Sequence, residues 1–510
     1  MFRCSSLLVA TLLMLPALSP TAEAAEILVS TVSDAIIDGD NRCTLREAIN
    51  SANADMPLHG CTTGDGADTI VLFFDSDHEM TLAGTNEDDN LTGDFDIKDD
   101  LTIRPMGSSV VEIEADGIDR IFHVHDGANL TLERLRLRRG NTVGFGGAIF
   151  TGLEASELTL RSTVVIDSQS TLFGGGISVA GPTLIVDSLV SGNQSAFGGG
   201  IYASSNSPVT LLRTEVTGND VTSDGGGVHA ATLLATESSI SSNDAERHGG
   251  GFYWRDAGDA TASYLVNTTV AYNEAWSNGG GLYVDGDGTL GAYNATIAYN
   301  AADSESNDAG DGGGIFVVDG TLQLRNSIVA NNADLTTSGT VAPDCLGTVD
   351  SAGYNLFSAV DFGDCTITGA TATDLNGSIG SPLDPGLDPC LEAPDDSNTS
   401  ALLPLSDSIV VDAGNPNGCV GPDGMELVVD QVFNRRTWDG QDADQIARCD
   451  IGSIEDGAPS FTDIFADGFE SGDTTAWGTS PLAPAPAWST RRAATHFQRQ
   501  LGGCEELTSY

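Results

Sequence analysis

The chain has few basic residues, and Lys98 is its only lysine. Twenty-one lysines and arginines stand against 73 aspartates and glutamates, which gives a formal net charge of −52 over 510 residues. A field of that sign repels nucleic acid and anionic membrane surfaces. It also disfavours a polyanionic substrate such as polygalacturonate, unless calcium bridges the two. We therefore expect no nucleic-acid partner.

Long apolar segments are missing beyond the first residues. Residues 1–24 contain Arg3, an apolar run from Leu7 to Leu18 and the sequence Ala22-Glu23-Ala24. This pattern is typical of a secretory signal that is cut before Ala25. No later stretch is apolar enough to cross a membrane as a helix. The sequence predicts an exported protein, either secreted or on the cell surface with the periplasm as an alternative, without a transmembrane anchor in the mature chain.

The chain also lacks a nucleophile elbow, a phosphate-binding loop, a zinc-binding helix motif and a C-x-x-C pair. It has nine cysteines, of which Cys4 lies in the signal, and an exported chain favours disulfides. Three pairs are close in sequence and are the disulfide candidates: Cys43 with Cys61, Cys345 with Cys365, and Cys419 with Cys449. The sequence leaves the pairing of Cys390 and Cys504 open.

A run of glycines followed by an aliphatic or aromatic residue occurs seven times between residues 146 and 316. The spacing of 24 to 33 residues predicts a solenoid, in which each unit stacks on its neighbours because it cannot bury its own apolar face. The residues that follow the glycines, and that we expect in the core, are Ile149, Ile177, Ile201, Val228, Phe252, Leu282 and Ile315.

Each unit also contains a short β-branched segment and then a polar turn with an asparagine. These segments predict strands, two or three per coil. Parallel coils would place the asparagines above one another, where their side-chain amides can bond along the row. The alternative is that asparagine serves only as a turn residue that tolerates the left-handed conformation. The predicted structural row is Asn193, Asn219, Asn243, Asn273 and Asn300.

Several motifs resemble known exported proteins. CTLREAI (43–49), NLFS (355–358), VDAGN (411–415) and CDIGSIE (449–455) are similar to segments of CSLREA-domain proteins. The glycine-led repeats resemble those of polymorphic outer-membrane proteins and other right-handed parallel β-helices of the pectin-lyase type. The resemblance implies an all-β, right-handed parallel β-helix that is exported. It implies no activity, because this fold carries lyases, hydrolases and adhesins alike.

The predicted organisation places one helix before the solenoid. Thr44 and Glu47 have capping-box spacing, and the apolar residues that follow recur at helical intervals. We expect this helix to cover the open end of the core. The predicted segments are a signal peptide (1–24), an N-terminal cap (25–68), the β-helix (69–335), a C-terminal cap with disulfides (336–458), a terminal tag of DGFESGD type (459–480) and a disordered tail (481–510).

Charged candidates for an active site are sparse. Arg134, Arg136 and Arg138 alternate along a predicted strand, so we expect one outward charged face, with an arginine base as the alternative. His123 and His125 share another outward face, and two ligands without a third predict no metal site.

Many aspartates lie in predicted loops. Calcium could bind there through oxygen ligands, and the alternative is solvated turn residues. The aspartates considered are Asp94, Asp96, Asp99, Asp100, Asp308 and Asp311.

A row of rings is the main candidate for binding. If the residue after each glycine run points inward, the next one points outward, and successive coils lie about 4.8 Å apart. Exposed aromatic rings at that spacing suit the stacking of sugar rings. The alternative is that the rings stack on each other and shield the coil. The candidate glycan-binding residues are Phe150, Tyr202, Tyr253, Tyr283 and Phe316.

Two classes of function follow from these features. The first is a noncatalytic exported β-helix that presents an extended surface for adhesion or glycan binding, with an extracellular polysaccharide or a host or cell-surface component as partner. The second is a polysaccharide lyase or glycoside hydrolase. Three or more carboxylates that converge beside an arginine in a groove would favour the enzyme. No cofactor is predicted apart from the possibility of calcium.

Overall fold

A computed structural model describes residues 25–458, apart from 74–76, 86, 153–155, 256–261, 306–309, 339, 362, 394–398 and 439–446. The predicted signal, tag and tail, together with Cys504 and Asp308, lie outside the described residues. The described part is a parallel β-solenoid with one α-helix, Leu45–Ala54, and a 3₁₀ turn at Thr371–Thr373. The all-β, parallel β-helix class predicted from the repeats is therefore confirmed.

A regular coil contains four short strands, where two or three were predicted. The extra strand is the short segment after the turn asparagine, which also pairs with the next coil. We number the stacks of strands sheet 1 to sheet 4 in the order in which one coil visits them, starting after the glycines. Sheets 1 and 2 are joined where Cys345–Ser351 runs through both.

The strands of each sheet pair in parallel from coil to coil. Sheet 1 contains Phe95–Ile97, Phe122–Val124, Ile149–Thr151, Ile177–Val179, Ile201–Ala203, Val228–Ala230, Phe252–Trp254, Leu282–Val284 and Ile315–Val317. Sheet 2 contains Glu26–Val29, Asp68–Leu72, Leu101–Pro105, Leu130–Glu133, Leu158–Arg161, Thr183–Val186, Val209–Leu212, Leu233–Thr236, Ser263–Val266, Thr289–Tyr293, Thr321–Arg325, Cys345–Ser351 and Cys365–Gly369. Sheet 3 contains His78–Glu79, Val111–Glu114, Leu135–Arg138, Val164–Ile166, Leu189–Ser191, Glu215–Thr217, Ser239–Ser241, Thr269–Ala271, Thr296–Ala298, Ile328–Ala330, Leu356–Phe357 and Leu375–Asn376. Sheet 4 contains Asn141–Thr142, Gln169–Ser170, Gln194–Phe197, Asp220–Asp224, Asp244–Ala245, Glu274–Ala275, Ala301–Ala302 and Ala333–Asp334.

The glycine runs lie where neighbouring coils approach most closely. A Cβ atom on Gly250 would stand 2.2 Å from the backbone oxygen of Glu274 and 2.6 Å from that of Gly280. The preceding Gly249 has φ of +66°, a left-handed conformation that costs a side chain energy. Glycine therefore suits both positions, because a Cβ atom would clash at Gly250 and the positive φ disfavours a side chain at Gly249. The residue after the run then points inward. All seven predicted core residues of the repeats are fully buried.

The turn asparagines form a continuous buried row. The Nδ2 atom of each donates to Oδ1 of the next, at 3.0 Å from Asn193 to Asn219 and at 2.9 Å from Asn243 to Asn273. The row continues through Asn300 and Asn332 and ends on Asp344. The asparagines are not the left-handed residues of the turn. The residue before each of them has positive φ instead, because the asparagine side chain must point into the coil.

The first coils are covered by the predicted helix. Thr44 and Glu47 form the expected capping box, and the buried face of the helix contributes Ala48 and Ile49 to the solenoid core. The disulfide Cys43–Cys61 joins the start of the helix to the segment that follows it. The helix therefore closes the N-terminal end of the core, where apolar edges would otherwise be exposed.

The C-terminal part does more than cap the far end. Solenoid strands continue beyond residue 335 as far as Leu375–Asn376. An antiparallel hairpin, Leu387–Glu392 with Ala401–Pro404, follows. The chain then folds back along the outer face of sheet 3, where Thr269 Oγ1 donates to Gln431 at 2.6 Å. Disulfides Cys345–Cys365 and Cys419–Cys449 fasten this region.

Sheet 4 carries a row of carboxylates on its outer side. Asp220, Asp244 and Glu274 are in register on successive coils. Burial, together with the neighbouring carboxylates Glu274 and Asp220, raises the pKa of Asp244 to about 7. The folded state therefore holds this proton more tightly than the unfolded chain, so the charge destabilises the fold as pH rises from about 4 through 7.

We expect Asp244→Asn to raise the free energy of unfolding by about 1–2 kcal/mol at pH 8, after allowance for partial solvent screening. The gain should be smaller at pH 5, where the unfolded chain ionises this carboxyl but the native state still holds its proton. Urea denaturation at both pH values measures this difference, with the exposed Asp407→Asn as control. An equal gain at pH 5 and pH 8 would contradict the charge explanation.

Candidate functional site

The predicted row of outward residues runs along sheet 1. Phe150, Ser178, Tyr202, His229, Tyr253, Tyr283 and Phe316 are paired in register, one per coil. Their neighbours on both sides along each strand point into the core. The row thus lies on the outer surface of the sheet, and all five candidate glycan-binding residues belong to it.

A second column of rings stands beside the first and was missed from the sequence. Phe145, Phe173 and Phe197 are bridged to one another at the corner between sheets 4 and 1. Their ring centroids lie 5.4 Å (Phe145 to Phe150) and 4.4 Å (Phe173 to Tyr202) from rings of the first column. The signal was present, since each of these phenylalanines directly precedes a glycine run. We call the two columns together the aromatic strip: Phe145, Phe150, Phe173, Phe197, Tyr202, His229, Tyr253, Tyr283 and Phe316.

The two halves of the strip differ in exposure. Towards the C-terminal end, Tyr253 is only 6% exposed and its ring stacks on Tyr283 at 4.9 Å, which itself stacks on Phe316 at 5.4 Å. Towards the N-terminal end, Phe145 is 39% exposed and lies near the exposed Leu172. The rings contact each other along the whole strip, and the N-terminal half, which contains the exposed Phe145, leaves more apolar surface open to a ligand.

A polar cluster continues the row at its N-terminal end. Asp96 and His123 occupy the register positions next to Phe150, and His123 stacks on that ring at 5.3 Å. Asp96 is fully buried, and its Oδ1 lies 2.8 Å from His125 Nε2 and 3.4 Å from His123 Nδ1. Asp88 Oδ1 lies 3.8 Å from His123 Nδ1. The expectation that the two histidines lack further ligand partners is therefore wrong.

More carboxylates lie on the other side of Asp96. Arg120 Nε lies 3.0 Å from Asp94 Oδ2, and its guanidinium stands 5.2 Å from the centre of the Phe150 ring. Burial raises the pKa of Asp94 to about 8, against the opposing effect of Arg120. Burial also disfavours ionisation of Asp96, but hydrogen bonds from His123 and His125 lower its pKa to about 2. Burial raises the pKa of Asp119 as well.

The N-terminal helix positions this cluster. Arg46 is fully buried and pairs with Asp34 at 2.6 Å. Its Nη atoms donate to the backbone oxygens of Gly93 (2.7 Å) and Asp94 (3.1 Å). Asn53, at the end of the helix, donates to the backbone oxygen of Asp96 at 2.7 Å. The CTLREAI segment thus holds the loop from which the carboxylates project.

Two other groups predicted from the sequence lie elsewhere. Arg136 and Arg138 face outward on sheet 3, each 3.6 Å from a carboxylate oxygen of Glu112. Arg134 does not share their face, because it forms the left-handed corner before the strand, with φ of +52°. This arrangement is a charged strand face with ion pairs, not an arginine beside the carboxylate cluster.

The remaining aspartates proposed for calcium act locally. Asp100 accepts the backbone N–H of Asn129 at 3.0 Å, and Asp99 accepts that of Asp100 at 2.8 Å. Burial raises the pKa of Asp311 to about 6, and nearby aspartates add to the effect. Asp99 and Asp100 thus accept backbone hydrogen bonds, and calcium binding at these aspartates stays a prediction.

Comparison with family models, with curated proteins and with solved structures finds no match to this chain. Among the described residues, no helix is long and apolar enough to span a membrane. Fold and site together define a disulfide-bonded parallel β-solenoid that carries an aromatic strip ending in an aspartate–histidine–arginine cluster.

Proposed function

We propose that this protein is an exported, noncatalytic β-helix of the CSLREA-domain type that binds a neutral polysaccharide along the open half of the aromatic strip. Export rests on the signal-like residues 1–24 and is compatible with the disulfides. The family assignment rests on the motifs quoted above. The observation that carries the binding function is the two-column arrangement of rings, which presents apolar faces at the repeat of the coils.

Several features support a sugar ligand over an apolar partner. Phe145 is exposed and Phe173 and Tyr202 are half-buried, and Tyr202 carries a hydroxyl that can bond to sugar oxygens. A glycan chain that lies parallel to the solenoid axis would meet one ring per coil. The net charge of −52 favours a neutral over an acidic chain.

The test is calorimetric titration of the purified protein with neutral and acidic oligosaccharides. Phe173→Ala combined with Tyr202→Ala should weaken binding about ten- to thirtyfold, because two stacking contacts are lost. Phe316→Ala, at the opposite end of the strip, is the matched control and should bind like the wild type. Phe145→Ala, at an exposed position, tests the same surface without risk to the core. Binding that is unchanged in both strip variants, or the absence of binding to any glycan, would contradict the proposal.

A second function is favoured by one specific observation. Asp94, Asp96 and Asp119 converge beside Arg120 at the end of the strip, and this is the arrangement that we expected of a lyase or hydrolase. Glycoside cleavage usually requires one protonated and one ionised carboxyl group, and different environments keep the two groups in these states. Incubation with the bound glycan distinguishes the two functions. New reducing or unsaturated ends that disappear in Asp119→Asn would establish the enzyme and remove the noncatalytic proposal.

A further inference from the structure

Four potential metal ligands converge at the N-terminal end of the aromatic strip. One oxygen each from Asp88 and Asp96 and one ring nitrogen each from His123 and His125 all lie within 4.8 Å of one another. Asp96 and His123 lie on adjacent strands of sheet 1, and His125 directly follows the second of these strands. Asp88 lies in the loop before Phe95–Ile97. The solenoid register brings Asp96 and the two histidines together, and the loop adds Asp88.

We propose that Asp88, Asp96, His123 and His125 bind a single Zn²⁺ ion. Two imidazole nitrogens with two carboxylates suit zinc, whereas calcium and magnesium prefer six or more oxygen ligands. A tetrahedral site with bonds of about 2.1 Å has ligand atoms about 3.4 Å apart. The distance from His123 Nδ1 to Asp96 is 3.4 Å and that to Asp88 is 3.8 Å. The 2.8 Å contact between His125 and Asp96 must widen as the ion enters.

Hydrogen bonds from neighbouring residues hold the candidate ligands in place, as is usual for zinc ligands. The second carboxylate oxygen of Asp96 accepts the backbone N–H of Asn90 at 2.9 Å, which fixes the plane of the carboxylate. The Asn90 side chain in turn donates to the backbone oxygen of Arg46 and to Asn50, at 2.9 Å each. The helix therefore orients the buried ligand through one intermediate residue.

The site is open on one side. The side chain of Asp88 is 72% exposed, while those of His123 and His125 are 19% and 23% exposed. An ion can enter from the Asp88 side without disturbing the core. The bound ion would lie at the end of the aromatic strip, beside Phe150, whose ring stacks on His123. Zinc binding itself requires no glycan.

The experiment uses the full exported chain after treatment with a chelator, titrated with Zn²⁺ alone in a calorimeter. We expect one ion per chain, weak or absent binding of Ca²⁺, and tetrahedral visible bands when Co²⁺ replaces Zn²⁺. His123→Ala should weaken zinc binding at least about a hundredfold. Asp88→Asn, at an exposed position that cannot unfold the chain, should weaken it about tenfold.

The control is His59→Ala, which removes another histidine that lies 2.6 Å from an aspartate, Asp38, on the surface. It should bind zinc like the wild type. Equal loss in His59→Ala, zinc binding that survives both His123→Ala and Asp88→Asn, or no stoichiometric binding would each overturn the proposal. The titration contains metal ions and no glycan. Failure of zinc binding therefore leaves the glycan proposal intact, and failure of glycan binding leaves the zinc proposal intact.

Discussion

Replacement of Arg46 by methionine is expected to lower the free energy of unfolding by about 3–5 kcal/mol, because it leaves the buried carboxylate of Asp34 without its positive partner. Arg46 is fully buried and its Nε lies 2.6 Å from Asp34. Methionine replaces the unbranched stem of the arginine side chain but donates no hydrogen bond. The backbone oxygens of Gly93 and Asp94 lose their donors as well.

The loss should be concentrated in the first coils. Solenoids are stabilised by contacts between neighbouring repeats, so damage near one end spreads mainly to adjacent units. Urea denaturation gives the overall loss, and hydrogen exchange should show faster exchange in residues 90–97 than in the central coils. Arg104→Met is the control, since Arg104 pairs with Glu26 on the surface and such pairs contribute under about 1 kcal/mol. Equal destabilisation by both variants would contradict the special role of Arg46.

Asn243→Ala is the second variant with a large expected effect, roughly 3–5 kcal/mol of lost stability. The Asn243 side chain accepts from the backbone and side chain of Asn219, both at 3.0 Å. It also donates to Asn273 at 2.9 Å and to the backbone oxygen of Val216 at 3.0 Å. Alanine leaves these buried partners unsatisfied, and each unsatisfied group costs about 1–3 kcal/mol before relaxation.

The position in the row makes this variant informative. Because Asn243 is in the middle, its removal interrupts the row between two intact halves, and thermal unfolding should become less cooperative. Gln194→Ala is the control, since Gln194 lies next to the row but points to solvent. If Asn243→Ala were as stable as Gln194→Ala, the asparagine would be only a turn residue, which was the alternative drawn from the sequence.

The repeats explain why so much of the fold could be predicted. Each glycine run marks a position where a Cβ atom would strike the next coil, and each asparagine marks a position that bonds to its equivalent one coil away. Such features recur at the period of the coil, so a single chain displays them several times. The capping box at Thr44 and Glu47 is equally local, because all of its partners lie within four residues.

The aspartate–histidine cluster could not be predicted in the same way. Asp96 and His123 are 27 positions apart, and they meet only because Phe95–Ile97 pairs with Phe122–Val124 in one particular register. The first coils lack the glycine runs that fix the register of the later ones. Asp88 reaches the cluster from an irregular loop that has no counterpart in the repeats.

The path of the C-terminal segment was likewise beyond the sequence. Its hydrogen bonds to sheet 3 join residues more than 120 positions apart, such as Thr269 and Gln431. No period or motif encodes contacts of that kind.

The sequence by itself determined the repeating coil, its inward apolar residues, its asparagine row and its strongly acidic surface, because each depends on neighbours along the chain or on exact repetition. Only the tertiary structure decided which rings are open, which aspartates join the two histidines, and what the buried Arg46 holds. Those arrangements depend on the register between irregular coils and on loops that cross them, and both are set by packing across the whole molecule.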